Sequence, residues 1–193
     1  MPENHPQSAV GDQGDAMVAG YAAAADRIAA EIGAPQGPVL DIGSNTGAGM
    51  AYLKSRWPHT EIFGIEPVEK FAHTAREKGL NVVTAAAERI PFRYEFFSLV
   101  FSRHSLEHTE NRRAAICEMG RVLRPGGHLY VQAPIEADGT PNKLHTSPFE
   151  SAEEFLLAFG FTEANEDFSM DGEWRAVYWG IQETVAEFIG RKL

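Results

Sequence analysis

The segment SRHSLEHTE brings His104, Glu107 and His108 close together in the chain. His104-Ser105-Leu106-Glu107-His108 fits the order H-x-x-E-H, in which inverted zinc peptidases present two imidazoles and a general-base carboxylate. That chemistry needs all three side chains on one helix, with a further ligand from elsewhere. A second group lies in VLDIGSNTGAG, where Gly43 and Gly47 fall in a strand-to-helix turn. Glycine there allows a tight turn and lets a ligand approach the backbone. Asp41, just before the turn, can accept hydrogen bonds from a cationic amine. Glu66 closes IFGIEP, a position from which a carboxylate can accept both hydroxyls of a ribose, as in nicotinamide-binding domains. The plainer reading of these residues is an ordinary turn followed by a surface glutamate. A third group, Glu136 and His145, sits in IEADGTPNKLHTSPFES, a long Pro- and Gly-containing stretch of the kind that often carries function.

These residues fall at element ends. GPVLDIG, EIFGIEP, NVVTAAA, FSLVFSRH and HLYVQAP read as five short apolar strands. Between and before them, AMVAGYAAAADRIAAEIGA, AGMAYLKSRWP, EKFAHTAREKGL and NRRAAICEMGRVL read as helices, closed by Gly33, by the residue before Pro58, by Gly79 and by RPGG. SAEEFLLAFG is a further helix, with Ser151 at its cap and Glu154 three residues on. FTEANEDFSM and RAVYWGIQ read as two more strands around the turn DGE, and ETVAEFIGRKL as a closing helix. This alternation predicts parallel strands with crossover helices in a layered α/β sandwich, with an antiparallel hairpin at one edge. In such sheets ligands bind beyond the carboxyl ends of the strands, which is where all three groups lie. His104 and His108 then stand on a strand-to-helix connection rather than along a helix, so no metal is expected.

Composition narrows the function. The 193 residues, 44% of them hydrophobic, suffice for one domain with its own core. A formal charge of -10 disfavours nucleic acid as a partner, and Arg112, Arg113, Arg121 and Arg124 read as a solvated helix face. Cys117, the only cysteine, reads as a small core residue and excludes an internal disulfide. No run is long enough to span a membrane, and MPENHPQSAVGDQGD carries no basic-then-apolar leader. A cytoplasmic protein with a mobile tail over residues 1–15 is expected.

VLDIGSNTG, IFGIEP, AAAERIPF and RVLRPGGHLYVQAP, in this order and spacing from about Pro38 to Pro134, resemble the class I S-adenosylmethionine-dependent methyltransferases. The likeness is greatest to the broad branch that includes quinone-biosynthesis and many small-molecule enzymes. It implies a Rossmann-like three-layer sandwich, a mostly parallel seven-stranded sheet, and a single methyltransferase domain over residues 16–193. It implies S-adenosyl-L-methionine as cofactor, with Asp41 and the loop Gly43, Ser44, Asn45 and Gly47 facing its methionine part. Glu66 would hold the ribose, Pro67, Ala87 and Glu88 would flank the adenine, and Arg103 would lie beneath the cofactor. Two positions depart from the pattern. Ala86 stands where the family carries an Asp that accepts from the adenine amino group, and Ser98 follows Phe97 where Phe-Asp is usual.

The implied reaction asks little of the protein beyond alignment and exclusion of water, because the sulfonium already activates the methyl group. An oxygen acceptor gains from a base, and His108 and His145 are the candidates. His108 could instead cap the next helix, and His145 could pin its loop. A small-molecule acceptor follows, with oxygen as the accepting atom. No inserted cap is evident, so the N-terminal helix, the His145 loop or the second subunit of a homodimer would cover the site, unless the acceptor is large and the site open. The alternatives are a non-catalytic cofactor- or partner-binding domain, which Ala86 favours, and a nicotinamide-dependent oxidoreductase. The latter needs G-x-G-x-x-G, whereas the glycines here are Gly43, Gly47 and Gly49.

Overall fold

The computed structural model describes residues 7–136, 145–160, 174–182 and 184–193, with side chains from Ala16 onward except that of Gln182. Five strands run parallel: β1 (Val39–Ile42), β2 (Ile62–Glu66), β3 (Asn81–Thr84), β4 (Phe97–Arg103) and β5 (Leu123–Pro134). Two more, β6 (Trp174–Gln182) and β7 (Val185–Lys192), complete a sheet of order β3-β2-β1-β4-β5-β7-β6, in which β7 is antiparallel to both its neighbours. The order reverses between β1 and β4, which opens a crevice beyond their carboxyl ends.

Side chains alternate across the sheet with the period of a strand. Leu40, Ile42, Phe97, Val100, Leu129 and Val131 pack on the face covered by α4 (Arg112–Val122) and α5 (Ala152–Ala158). Val39, Leu99, Phe101 and Tyr130 pack on the other, covered by α1 (Gln7–Ile32), α2 (Ala48–Arg56) and α3 (Glu69–Glu77). The result is the expected three-layer sandwich. Caps follow sequence: Asn111 accepts from the Ala114 amide and Ser151 from that of Glu154, both at 3.0 Å.

Four expectations change. The closing segment is not a helix but β7, inserted between β5 and β6. Phe188, Ile189 and Gly190 are buried between two strands, and Glu187 reaches the Tyr130 hydroxyl. Pairing on both sides outweighs the helical preference of Glu and Ala. The edge hairpin is therefore β6–β7, with Thr184 in its turn; FTEANEDFSM and DGE lie outside the described residues. Helix α1 begins at Gln7, inside the stretch expected to be a tail. Cys117 is exposed, because α4 buries Ala115, Ile116, Met119 and Val122 and turns position 117 outward. Arg112 and Arg121 on α4 are not free in solvent either. Arg112 pairs with Glu154 and lies over the Phe149 ring, and Arg121 binds Glu118 and the carbonyls of Ile90 and Phe92.

Candidate active site

The loop after β1 is held from below. The amides of Gly43 and Ser44 both donate to the Ile65 carbonyl, at 2.9 and 3.0 Å, which ties the loop to β2. Gly43 has φ +73°, and a Cβ there would lie 2.4 Å from Ser105 Oγ, so glycine is needed on both grounds. Gly47, at φ +83°, starts α2, and the space its side chain would take belongs to Leu80 and Ala75.

Glu66 ends β2 and is 6% exposed. Its Oε2 accepts the Asn45 amide and its Oε1 the Val68 amide, each at 2.9 Å. The carboxylate is thereby fixed in direction, and each oxygen keeps acceptor capacity on its outer side. It faces a cleft of ≈ 990 Å³. The cleft's apolar wall is Ile42, Ile65, Phe71 and the segment Ala85–Ala87, with Val68 left 46% exposed at its rim. Gly43, Asn45, Pro67, Glu88 and His108 also line it. Glu88 Oε1 is already engaged, accepting the amides of Glu110 (2.7 Å) and Asn111 (3.2 Å) ahead of α4.

Asp41, Ser44, Gly47 and Arg103 do not line this cleft. Asp41 is wholly buried under α1, where both its oxygens receive the Tyr21 hydroxyl at 3.0 Å. Burial pushes its carboxyl up to about 8, against the opposing effect of that hydrogen bond. The same burial, with Asp41 beside it, raises the Tyr21 hydroxyl well above the usual phenol range. Ser44 is buried, with Oγ 3.4 Å from the Ile65 carbonyl. Arg103 lies against α1, where a Cβ on Gly20 would meet its guanidinium at 2.1 Å. Tyr21 and Gly20 escaped the sequence reading; a lone Tyr in an Ala-rich helix was the available signal.

The connection after β4 behaves as expected in one respect and not in another. His104 takes φ +49°, its amide bonded to the Gln132 carbonyl at 2.8 Å, and Leu106–His108 form a single 3-10 turn. The histidines are thus not spread along a helix. His145 nevertheless arrives beside them, its ring edge-on to His108 with centroids 4.9 Å apart, and its Nδ1 is hydrogen-bonded to Glu136. Glu107 is 1% exposed, with Oε1 3.4 Å from His104 Nδ1.

Among the described residues, Trp57 Nε1, Ser102 Oγ, Arg103 Nε, Glu107 Oε2 and Gln132 Oε1 are buried polar atoms without a partner. All but the first belong to the carboxyl ends of β4 and β5 or the turn beyond. Orphaned polar atoms are rare in folded proteins, and each calls for an explanation. A fixed carboxylate for a diol and an apolar slot for a purine fit S-adenosylmethionine. The fit departs at Ala86, exposed at the slot where an acid was expected, and at Asp41, buried under α1 away from the cleft.

Residues 40–131 match the methyltransferase-domain family. The chain is 29% identical over 153 residues to a malonyl-[acyl-carrier protein] O-methyltransferase of Methylococcus capsulatus, covering 70% of this chain and 56% of that one. It is 36% identical over 104 residues to a ubiquinone/menaquinone biosynthesis C-methyltransferase of Cupriavidus metallidurans, covering 50% and 43%. The chain thus spans about half the length of the curated relatives it matches. Among solved structures, a SAM-dependent methyltransferase and possible histamine N-methyltransferase from Thermotoga maritima superposes with TM-score 0.66 at 21% identity, covering 90% of this chain and 89% of that one. Over residues 40–131, just under half its length, the chain therefore resembles methyltransferase domains, and it shares their fold. Among the described residues no helix is long and apolar enough to cross a membrane.

Proposed function

We propose that the protein is an S-adenosylmethionine-dependent methyltransferase acting on a small molecule, with oxygen as the accepting atom. The observation that carries the reading is Glu66, its two oxygens aimed by the Asn45 and Val68 amides into the cleft beside Ala85–Ala87. When bound, the cofactor supplies an activated methyl group on a sulfonium. The chain's own part is to grip the ribose through Glu66, hold the purine against Phe71 and Val68, and close the polar end with the connection after β4. His108 and His145 form the acceptor side, where they order an acceptor oxygen and favour loss of its proton. The relatives named above act on oxygen, carbon and nitrogen, so the choice of oxygen rests on these two imidazoles. A net charge of -10 supports a small acceptor over a nucleic acid, and a cytoplasmic setting is part of the same reading.

A second reading, a cofactor-binding domain without transfer activity, is favoured by Ala86. Calorimetry and thermal melting with S-adenosylmethionine, S-adenosylhomocysteine and NAD test both. The first two should bind and stabilise, by about 2.7 kcal/mol at 100 times Kd, and NAD should do neither. No shift at millimolar S-adenosylhomocysteine would overturn the cofactor assignment. Binding without methyl transfer to any hydroxylated acceptor would favour the second reading.

A further inference from the structure

We propose that Glu107, His108 and His145 form a binding site for a divalent transition-metal ion at the acceptor end of the cleft. One ligand atom from each lies within 4.8 Å of the others. An ion bound at about 2.0–2.2 Å by each would hold its donors roughly 3–3.5 Å apart, so modest side-chain rotation closes the set. The three residues come from two segments, and those segments are fastened together: the Ser147 amide donates to the Glu107 carbonyl at 2.9 Å, which brings the His145 loop onto the turn.

Three observations set this cluster apart from a chance gathering of polar side chains. Glu107 is 1% exposed, and its Oε2 has no partner among the described residues. A buried carboxylate oxygen in that state costs free energy unless a cation or donor meets it. His145 is bonded through Nδ1 to the Glu136 carboxylate. Metal-binding histidines characteristically engage a carboxylate on the opposite ring nitrogen, which fixes the tautomer and raises ligand basicity. His104, beside Glu107, holds a left-handed backbone that a non-glycine residue adopts only at a cost, and such strain concentrates at functional sites.

Two imidazoles and one carboxylate suit Zn2+, Co2+ or Fe2+ rather than Mg2+ or Ca2+, which prefer oxygen. Three protein ligands leave at least one coordination position open. His108 lines the cleft, so that position faces the space left for the acceptor. The ligand class it takes is an acceptor oxygen: a hydroxyl, or a hydroxyl next to a carbonyl. This inference rests on the methyltransferase reading for its role, and it makes the two histidines ligands of an ion that activates the acceptor oxygen rather than free bases. The H-x-x-E-H match is then half right. Glu107 and His108 bind, but with His145 in place of His104.

The test uses full-length, untagged protein stripped with a chelator and titrated with Co2+, followed by calorimetry and visible absorption, then by competition with Zn2+. One equivalent per chain is expected, with ligand-field bands and displacement by Zn2+. His108→Ala, at an exposed position outside the core, should weaken binding by about a hundredfold or more, since losing even an outer-shell partner costs 10–100-fold. Glu136→Gln should weaken it by roughly tenfold or more. Absence of stoichiometric Co2+ binding, or His108→Ala binding as tightly as the parent, overturns the site. S-adenosylhomocysteine titrated into the stripped protein reads the other half of the cleft. If it binds while Co2+ does not, the metal site fails and the methyltransferase reading stands; if Co2+ binds and it does not, the reverse holds.

Discussion

Tyr21 on α1 donates its hydroxyl to both oxygens of Asp41 at 3.0 Å, in an interior where neither residue is more than 4% exposed. This contact fastens α1 to the strand that begins the cofactor loop. It also explains why Gly49 is glycine, since a Cβ there would sit 2.2 Å from the Tyr21 ring. Tyr21→Phe keeps the ring, which stacks on Phe101 at 5.0 Å, and removes only the donor. The loss should be about 1–3 kcal/mol, the penalty of an unsatisfied buried acceptor, read as a lower urea midpoint at unchanged slope. A midpoint equal to the parent's would mean the hydroxyl contributes nothing.

The same acid makes stability depend on pH. Its folded value, pushed up to about 8 by burial, lies above the ordinary value of 3.8. Between these values the folded state holds a proton that the unfolded state releases. Stability from this group is therefore full below about pH 4 and is lost as pH rises toward 8, by up to about 1.4 kcal/mol per unit. Asp41→Asn should flatten that slope and should gain on the parent from pH 5 to pH 8. Parallel melting curves for the two proteins across that range would count against the assignment.

Glu66→Ala removes the acceptor proposed for the ribose, so S-adenosylhomocysteine affinity should fall by about one to three orders of magnitude, at about 1.4 kcal/mol per tenfold. It also strands the Asn45 and Val68 amides, so the melting temperature should drop as well. Glu66→Gln should be milder in binding but not silent, because its NH2 group would face one of those amide donors. His145→Ala should leave this affinity within about twofold, since it is proposed for the acceptor rather than the cofactor. Equal losses in the Glu66 and His145 variants would show that the two sides are wrongly assigned.

Gly43→Ala places a methyl 2.4 Å from Ser105 Oγ at a backbone φ of +73°. The conformation alone costs about 1–2 kcal/mol, with the clash added. Cofactor affinity should fall with stability, because the loop must move. Ser105→Gly in the same chain should recover the clash but not the conformational part. Full recovery, seen by melting, would refute the backbone argument.

Much of this site could be read along the chain because its parts are local. Gly43, Asn45 and Glu66 sit at strand ends, and a strand end in a parallel sheet has one possible edge to face. The alternation of apolar segments with helical ones likewise implied the layers and the parallel core. What escaped depended on contacts between distant segments. ETVAEFIGRKL became a strand because β5 and β6 pair with it on both sides, an energy that no local preference records. Asp41 left the cleft because Tyr21 came down on it from α1. Glu107 and His108 met His145 because the Ser147 amide is bonded to the Glu107 carbonyl, a contact between distant segments. Residue types and short spacings determined what each position could do. Tertiary packing decided which of them meet, since bringing distant segments together takes the whole core's burial to overcome the chain's entropy.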